Sequence, residues 1–194
     1  MDYLSEYRSK LCTAHEAVEC VKSGDWVEYT TNVGYPPTLD KALSERRDEL
    51  RNVKIRGDLI FGPIHVAECD PTLEHFVYNT WHCSGYERKL CDQGRAFFTP
   101  MVFRNLAWYY KNFLEADVCM VTVSPMDKHG YFYFGGSVGV SKCIADKVAN
   151  DFKAKGYYVY IQRMGFGNKR IPEGTPTCYR IYVKPRQYNN WDEL

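Results

Sequence analysis

The stretch DVCMVTVSPMDKHGYFYFG, residues 117–135, decides the fold. Within DVCMVTV (117–123), Val118, Cys119, Met120, Val121 and Val123 leave almost no polar face. A half-buried strand alternates apolar and polar side chains. An unbroken apolar run therefore predicts a strand covered on both faces, as in a parallel sheet enclosed by helices. Ser124 and Pro125 end the run, and Asp127-Lys128-His129-Gly130 has the composition of a type I turn closing on glycine. The aromatic run Tyr131-Phe132-Tyr133-Phe134 follows. Such a turn at the end of a buried strand is either plain turn chemistry or the rim of an active site.

Working back from that strand, the chain alternates. Thr13 and Glu16 form a capping box, which predicts a helix of about ten residues ending at Ser23-Gly24. Trp26-Val27-Glu28-Tyr29-Thr30 is rich in strand formers, and Asn32, Val33, Gly34, Tyr35 and Pro36 make a turn into a helix whose apolar face is Leu39, Ala42, Leu43 and Leu50. Residues 52–56 read as a strand, 85–93 as a short helix, 96–98 as a strand and 106–112 as an aromatic helix. Between 60 and 82, punctuated by Gly62-Pro63 and Asp70-Pro71, the pattern predicts a loop and one strand at 76–78. Strands alternating with helices give the α/β class: an open, mostly parallel sheet flanked by helices, with right-handed crossovers. Residues 1–150 read as one domain. Residues 151–194 read as a separate tail in which 157–162 and 178–183 can pair as a β-hairpin.

Composition bounds the function. With 194 residues, 45% hydrophobic and 25% charged, the chain has the material for one domain with a core. Its 25 basic and 24 acidic residues give a net charge of +1, which offers no electrostatic case for a nucleic-acid partner. The eight Lys and Arg residues between 153 and 186 are spread over the two expected strands as a solvated face. No apolar run approaches the roughly 20 residues that span a bilayer, and the N-terminus lacks a leader pattern. The expectation is a cytoplasmic protein without a membrane partner. Eight cysteines, none at zinc-knuckle or redox spacing, fit reduced thiols, and Cys119 and Cys143 lie in apolar surroundings where cysteine packs as a small hydrophobe.

Ligands of an open parallel sheet bind beyond the carboxyl ends of its strands. Residues 32–37, 81–85 and 124–130 sit at such ends, which makes Asn32, Gly34, Pro36, Trp81, His82, Ser124, Pro125, His129 and Gly130 the candidate substrate-binding residues. Gly34 permits close approach to the backbone, and the helix behind Pro36 would aim free amides at an acyl or phosphate group. Each stretch alone also reads as routine turn chemistry, and His82 alone as a core histidine. G-x-S-x-G, the phosphate-binding P-loop and H-E-x-x-H are absent, and Gly165 and Gly167 make only a weak glycine pair. His65, His75, His82 and His129 have spacings that define no metal cage, so no metal is expected.

Taken in order, these motifs resemble a known family. SGDWVEY (23–29), then Gly34-x-Pro36-x-x-Leu39-Asp40-Lys41-Ala42-Leu43, Val53-Lys54-Ile55-Arg56-Gly57, Trp81-His82-x-Ser84-Gly85-x-Glu87-Arg88-Lys89 and Ser124-Pro125-Met126-Asp127-x-His129-Gly130-Tyr131-Phe132-x-Phe134-Gly135 are similar to the N-terminal domain of the acetyl-CoA hydrolase/transferase family. The similarity is strongest to the butyryl-CoA:acetate and 4-hydroxybutyrate CoA-transferase branch. It runs over roughly residues 5–148.

The resemblance implies an enzyme that moves coenzyme A between an acyl-CoA and a short carboxylate such as acetate. The thioester is a substrate, and no cofactor is permanently bound. It implies a glutamate nucleophile that lies in a second, similar half, outside the matched motifs, so that this chain is inactive alone and has that half or a full-length homologue as partner. Neither Glu87 nor Glu115 lies in the nucleophile motif. The loops at 32–36 and 124–130 would line the cleft and offer backbone amides to the oxyanion. The alternative is a non-catalytic relative serving as an interaction domain.

Overall fold

Five strands, all parallel, carry the domain in a computed structural model that describes residues 3–9, 11–134, 138–154, 157–164 and 178–185. The strands are β1 (Trp26–Tyr29), β2 (Val53–Gly57), β3 (Phe76–Thr80), β4 (Ala96–Phe98) and β5 (Val118–Met120), and they lie in the order β4-β3-β2-β1-β5. Val27 is in register with Ile55 on one side and Val118 on the other. The architecture is the α/β sheet with flanking helices that the alternation predicts.

Strand side chains alternate between faces, and each face has its own core. On the first, Val27, Tyr29, Val53, Ile55, Phe76 and Tyr78 pack with residues of α2 (Ala14–Val18), α3 (Pro37–Ser44), α4 (His65–Cys69) and α5 (Gly85–Asp92). Leu39 and Leu43 of α3 are fully buried there, each worth about 1.5–3 kcal/mol relative to exposure. On the second face, Cys119 joins Tyr110 of α6 (Leu106–Asn112) and Ile144, Ala145 and Val148 of α7 (Ser141–Ala154). Met120 belongs to the first core and Cys119 to the second. This two-sided burial of consecutive residues is why residues 117–123 show no polar face.

The second face also holds charge. Glu28 of β1 is fully buried and paired with Arg56 of β2. The Tyr110 hydroxyl donates to Glu28 Oε2 at 2.6 Å, and Arg56 donates to the Glu115 carbonyl at 2.7 Å. The Arg56 guanidinium stacks 3.5 Å over the Trp26 ring. Burial raises the Glu28 pKa above the ordinary carboxylate range, against the opposing pull of Arg56 and Tyr110.

Several local expectations change. The capping box at Thr13 and Glu16 forms, but α2 covers only five residues instead of about ten. The Arg46 guanidinium takes the carbonyls of Val18 at 2.5 Å and Val21 at 3.2 Å, which removes the need for helical partners beyond Val18. Gly24 still makes the left-handed turn, with φ +88. The segment between β2 and β3 contains α4 as well as a loop, and β3 extends to Thr80. The β5 ladder covers only Val118–Met120, because the following residues bond to the turn after β1 instead of to a strand. Helices α1 (Tyr3–Ser9) and α7 have no counterpart in the sequence reading.

Beyond the sheet, β6 (Tyr157–Met164) and β7 (Cys178–Pro185) pair antiparallel. Gly135, the glycine pair Gly165 and Gly167, and the basic residues Lys155, Lys169, Arg170 and Arg186 lie outside the described residues. No helix among the described residues is long and apolar enough to cross a membrane.

Candidate functional site

The strand order fixes where a ligand can enter. From β1 the chain builds outward through β2, β3 and β4, then returns to add β5 on the opposite side of β1. That reversal puts the topological switch point at the carboxyl ends of β1 and β5, the position where open α/β sheets bind ligands. The loops carrying Asn32, Gly34 and Pro36 and carrying Ser124, Pro125, His129 and Gly130 both start there. Thr122 joins them: its amide donates to the Gly34 carbonyl at 2.9 Å and its hydroxyl to the Tyr35 carbonyl at 3.0 Å.

The β1 loop is a 3-10 turn at Asn32–Gly34. Asn32 takes the left-handed conformation, φ +50, which asparagine tolerates better than most residues. The amides of Asn32, Gly34 and Tyr35 donate to the carbonyls of Asp58, Thr31 and Asn32, each at 3.0 Å. Residues 36 and 37 are prolines and have no amide hydrogen. These engaged amides shift the expectation that this loop supplies several oxyanion donors: the turn shapes the wall more than it donates from it.

The β5 loop closes on itself. Ser124 and Tyr133 exchange backbone and hydroxyl bonds at 2.8 and 2.9 Å. Asp127 Oδ1 accepts from the His129 amide at 2.8 Å and the Tyr131 amide at 2.9 Å, and Oδ2 accepts from the Tyr133 hydroxyl at 2.8 Å. Gly130, at φ +86, closes the turn through its amide bond to the Asp127 carbonyl at 3.1 Å. The Tyr131 amide foremost, with the Tyr133 hydroxyl and the His129 amide, holds the Asp127 carboxyl below its ordinary range. His129 is exposed on this turn.

Trp81 and His82 follow β3, two strands from β1, and line a cavity of about 850 Å³ with Leu59, Arg88, Met101 and Phe103. The nine candidate residues thus fall into two groups on one sheet edge. Asp58, which the sequence reading passed over, links them. Its carbonyl accepts the Asn32 amide, and its carboxylate Oδ1 lies 3.0 Å from His82 Nδ1. The available signal was its position directly after β2, beside Leu59 at φ +52. Burial raises the Asp58 pKa, and the His82 ring opposes that rise.

A family model described as the acetyl-CoA hydrolase/transferase N-terminal domain matches residues 1–152. The chain belongs to the acetyl-CoA hydrolase/transferase family. It is 43% identical over 148 residues to a butyryl-CoA:acetate CoA-transferase of Anaerostipes caccae, covering 76% of this chain and 33% of that protein. It is 45% identical over 135 residues to a probable butyrate:acetyl-CoA coenzyme A-transferase of Syntrophomonas wolfei, covering 69% of this chain and 30% of that protein. Among solved structures it resembles RipA from Yersinia pestis, with a TM-score of 0.61 and 26% identity over 70% of this chain and 34% of that one. The chain spans about a third of the length of the curated relatives it matches.

Within this acetyl-CoA hydrolase/transferase domain the buried carboxylates Glu87, Asp40 and Glu28 are bound within the fold. Glu87 accepts from Tyr78 at 2.8 Å, Thr80 at 2.9 Å, and the Ser84 and Ile60 amides at 2.8 and 3.2 Å, which anchors α5 to β3. Asp40 accepts from the His65 amide at 2.6 Å and the Tyr29 hydroxyl at 3.1 Å. Glu28 is tied to Arg56. No group of three or more His, Cys, Asp or Glu among the described residues could hold a metal ion. Cys119 is buried and its thiol pKa is pushed up by desolvation, which makes it a packing residue.

Proposed function

We propose that this domain is the substrate-cradling N-terminal half of a CoA-transferase that moves coenzyme A between an acyl-CoA and a short-chain carboxylate such as acetate. A second half supplies the glutamate nucleophile. In the chemistry carried over from the family, that carboxylate attacks the acyl-CoA carbonyl, and the C–S bond breaks to release the CoA thiolate and leave a mixed anhydride. The thiolate attacks the glutamyl carbonyl, releasing the first carboxylate and leaving a glutamyl thioester that the acceptor carboxylate reverses by the same steps. Asn32, Gly34 and Pro36 on one side and Ser124, Pro125, His129 and Gly130 on the other form the wall against which substrate is positioned. The reaction is cytoplasmic, where acyl-CoA and carboxylate are both at hand.

One observation carries this reading: within a domain of this family, Thr122 ties the β5 loop to Gly34 at the strand-order reversal. The test mixes the purified chain with butyryl-CoA and labelled acetate, with and without the second half of a butyryl-CoA:acetate CoA-transferase. The expected result is no exchange by the chain alone and exchange on adding the second half. Appreciable exchange by the chain alone contradicts an external nucleophile. No exchange with the second half present favours a non-catalytic interaction domain.

A further inference from the structure

A cavity lies at the ends of β3 and β4, on the edge of the sheet that also carries the β1 and β5 loops. Its wall is largely apolar, with Leu59, Trp81, Met101 and Phe103, and its polar groups are few. Small-molecule sites combine apolar walls with a small number of placed polar atoms.

Two of those polar groups suit an anion. His82 Nδ1 lies 3.0 Å from Asp58 Oδ1, and Asp58 has 7% side-chain exposure against 30% for His82. An ionised carboxylate only accepts, so Nδ1 carries the hydrogen and Nε2 is the atom left for a ligand. The ring is held further by its own backbone, since the His82 carbonyl accepts the Leu59 amide at 3.0 Å, and by Phe103, whose ring centre is 6.1 Å away. Arg88, exposed on α5, makes no ion pair among the described residues. A guanidinium without a carboxylate partner, beside an imidazole oriented by a buried acid, is complementary to a carboxylate.

We propose that this cavity binds the carboxylate substrate itself: the hydrocarbon chain lies against Leu59, Trp81, Met101 and Phe103, the carboxylate sits between His82 Nε2 and Arg88, and Asp58 is the positioning residue that orients His82. This inference rests on the proposed CoA-transferase function and adds where its carboxylate substrate sits. The main-chain carbonyl of Asp58 accepts the Asn32 amide, so the residue that orients His82 is also joined to the β1 turn. Carboxylate binding favours the imidazolium, with the ring bridging Asp58 and the ligand, so binding takes up a proton when the free ring is neutral. The other titratable groups at the cavity are Arg88, Cys83, Cys91 and Asp92.

Calorimetric titration of the full chain with butyrate and acetate, in buffers of different ionisation enthalpy, tests this. Butyrate is expected to bind about tenfold more tightly than acetate, the effect of burying two methylenes, with proton uptake wherever the free ring is neutral. Arg88→Met, an exposed change that leaves the core intact, and His82→Gln are each expected to weaken butyrate about tenfold. His82→Gln also abolishes the proton uptake, and Asp58→Asn reduces it. Equal affinity for wild type, Arg88→Met and His82→Gln overturns the proposal, as does the absence of butyrate binding to the wild-type chain. Either failure leaves the CoA-exchange result untouched, so loss of this pocket and loss of the transferase reading are distinguishable.

Discussion

Thr122 grips the turn after β1 at two successive carbonyls, through its amide to Gly34 and its hydroxyl to Tyr35. The chain leaving β5 is therefore part of the same wall as the turn leaving β1, although Thr122 and Tyr35 are 87 residues apart. Thr122→Val keeps the shape and removes the hydroxyl bond. The expected cost is about 1 kcal/mol, because the Tyr35 carbonyl loses its donor. Denaturant unfolding measures it; an unchanged midpoint means the hydroxyl bond does not hold the two loops.

The buried Glu28–Arg56 pair gives a larger effect. Glu28→Gln leaves a buried guanidinium without its counter-charge, and Arg56→Met leaves a carboxylate whose pKa burial already raises. Each single change is expected to cost about 3–5 kcal/mol. The double replacement should cost much less than the sum, and a double-mutant cycle by chemical unfolding reads the coupling. Additive losses would mean that the two side chains act independently.

Gly57 shows how close packing fixes β2 to β3. A Cβ at this position would clash with the Tyr78 hydroxyl and come within 2.8 Å of Ile60 Cδ1. The Tyr78 hydroxyl is itself bonded to Glu87 at 2.8 Å, so Gly57→Ala displaces a buried donor along with the ring. The expected destabilisation is about 1–3 kcal/mol, visible as a lower melting temperature. Adding Tyr78→Phe should relieve part of the clash but leave Glu87 with one donor fewer.

Much of this was legible from the sequence, for a physical reason. Val27, Ile55, Cys119 and Met120 are apolar because the sheet is covered on both sides, and α6 occupies residues 106–112 as the pattern indicates. The capping box at Thr13 reports local hydrogen bonds that need no tertiary partner. What escaped depends on distant contacts. The end of α2 is set by Arg46, 28 residues away from Val18. Helix α7 has the spacing Ile144, Ala145, Val148 and the pairs Lys142–Asp146 and Lys147–Asp151, but its start follows an aromatic turn that carries no clear helix signal. At the site, glycine and proline marked the loops correctly as turns at strand ends, whereas Asp58 and Thr122 gave no such mark because their roles exist only once β2 and β5 lie beside β1.

The β5 turn should respond to acid. Asp127 has a lowered pKa in the folded chain, with the Tyr131 amide as the leading cause. A depressed carboxyl pKa contributes stability above its unfolded value of about 4, and that contribution is lost as pH falls through the lower folded value. Amide exchange at Tyr131 and His129 should therefore accelerate relative to the rest of the sheet as Asp127 is protonated, and Asp127→Ala should produce the loosened turn at neutral pH. Exchange at these amides that tracks the sheet at every pH would mean that Asp127 does not organise the turn.

The most direct measurement of the central claim is the location of the covalent intermediate. The chain is combined with the second half of a CoA-transferase, incubated with butyryl-CoA, quenched and mapped by peptide mass spectrometry. The expected CoA thioester lies on a glutamate of the second half, with residues 1–194 unmodified and the yield lowered by Gly34→Ala. A CoA adduct on a carboxylate of this chain, Glu87 or Glu115 included, would contradict the account.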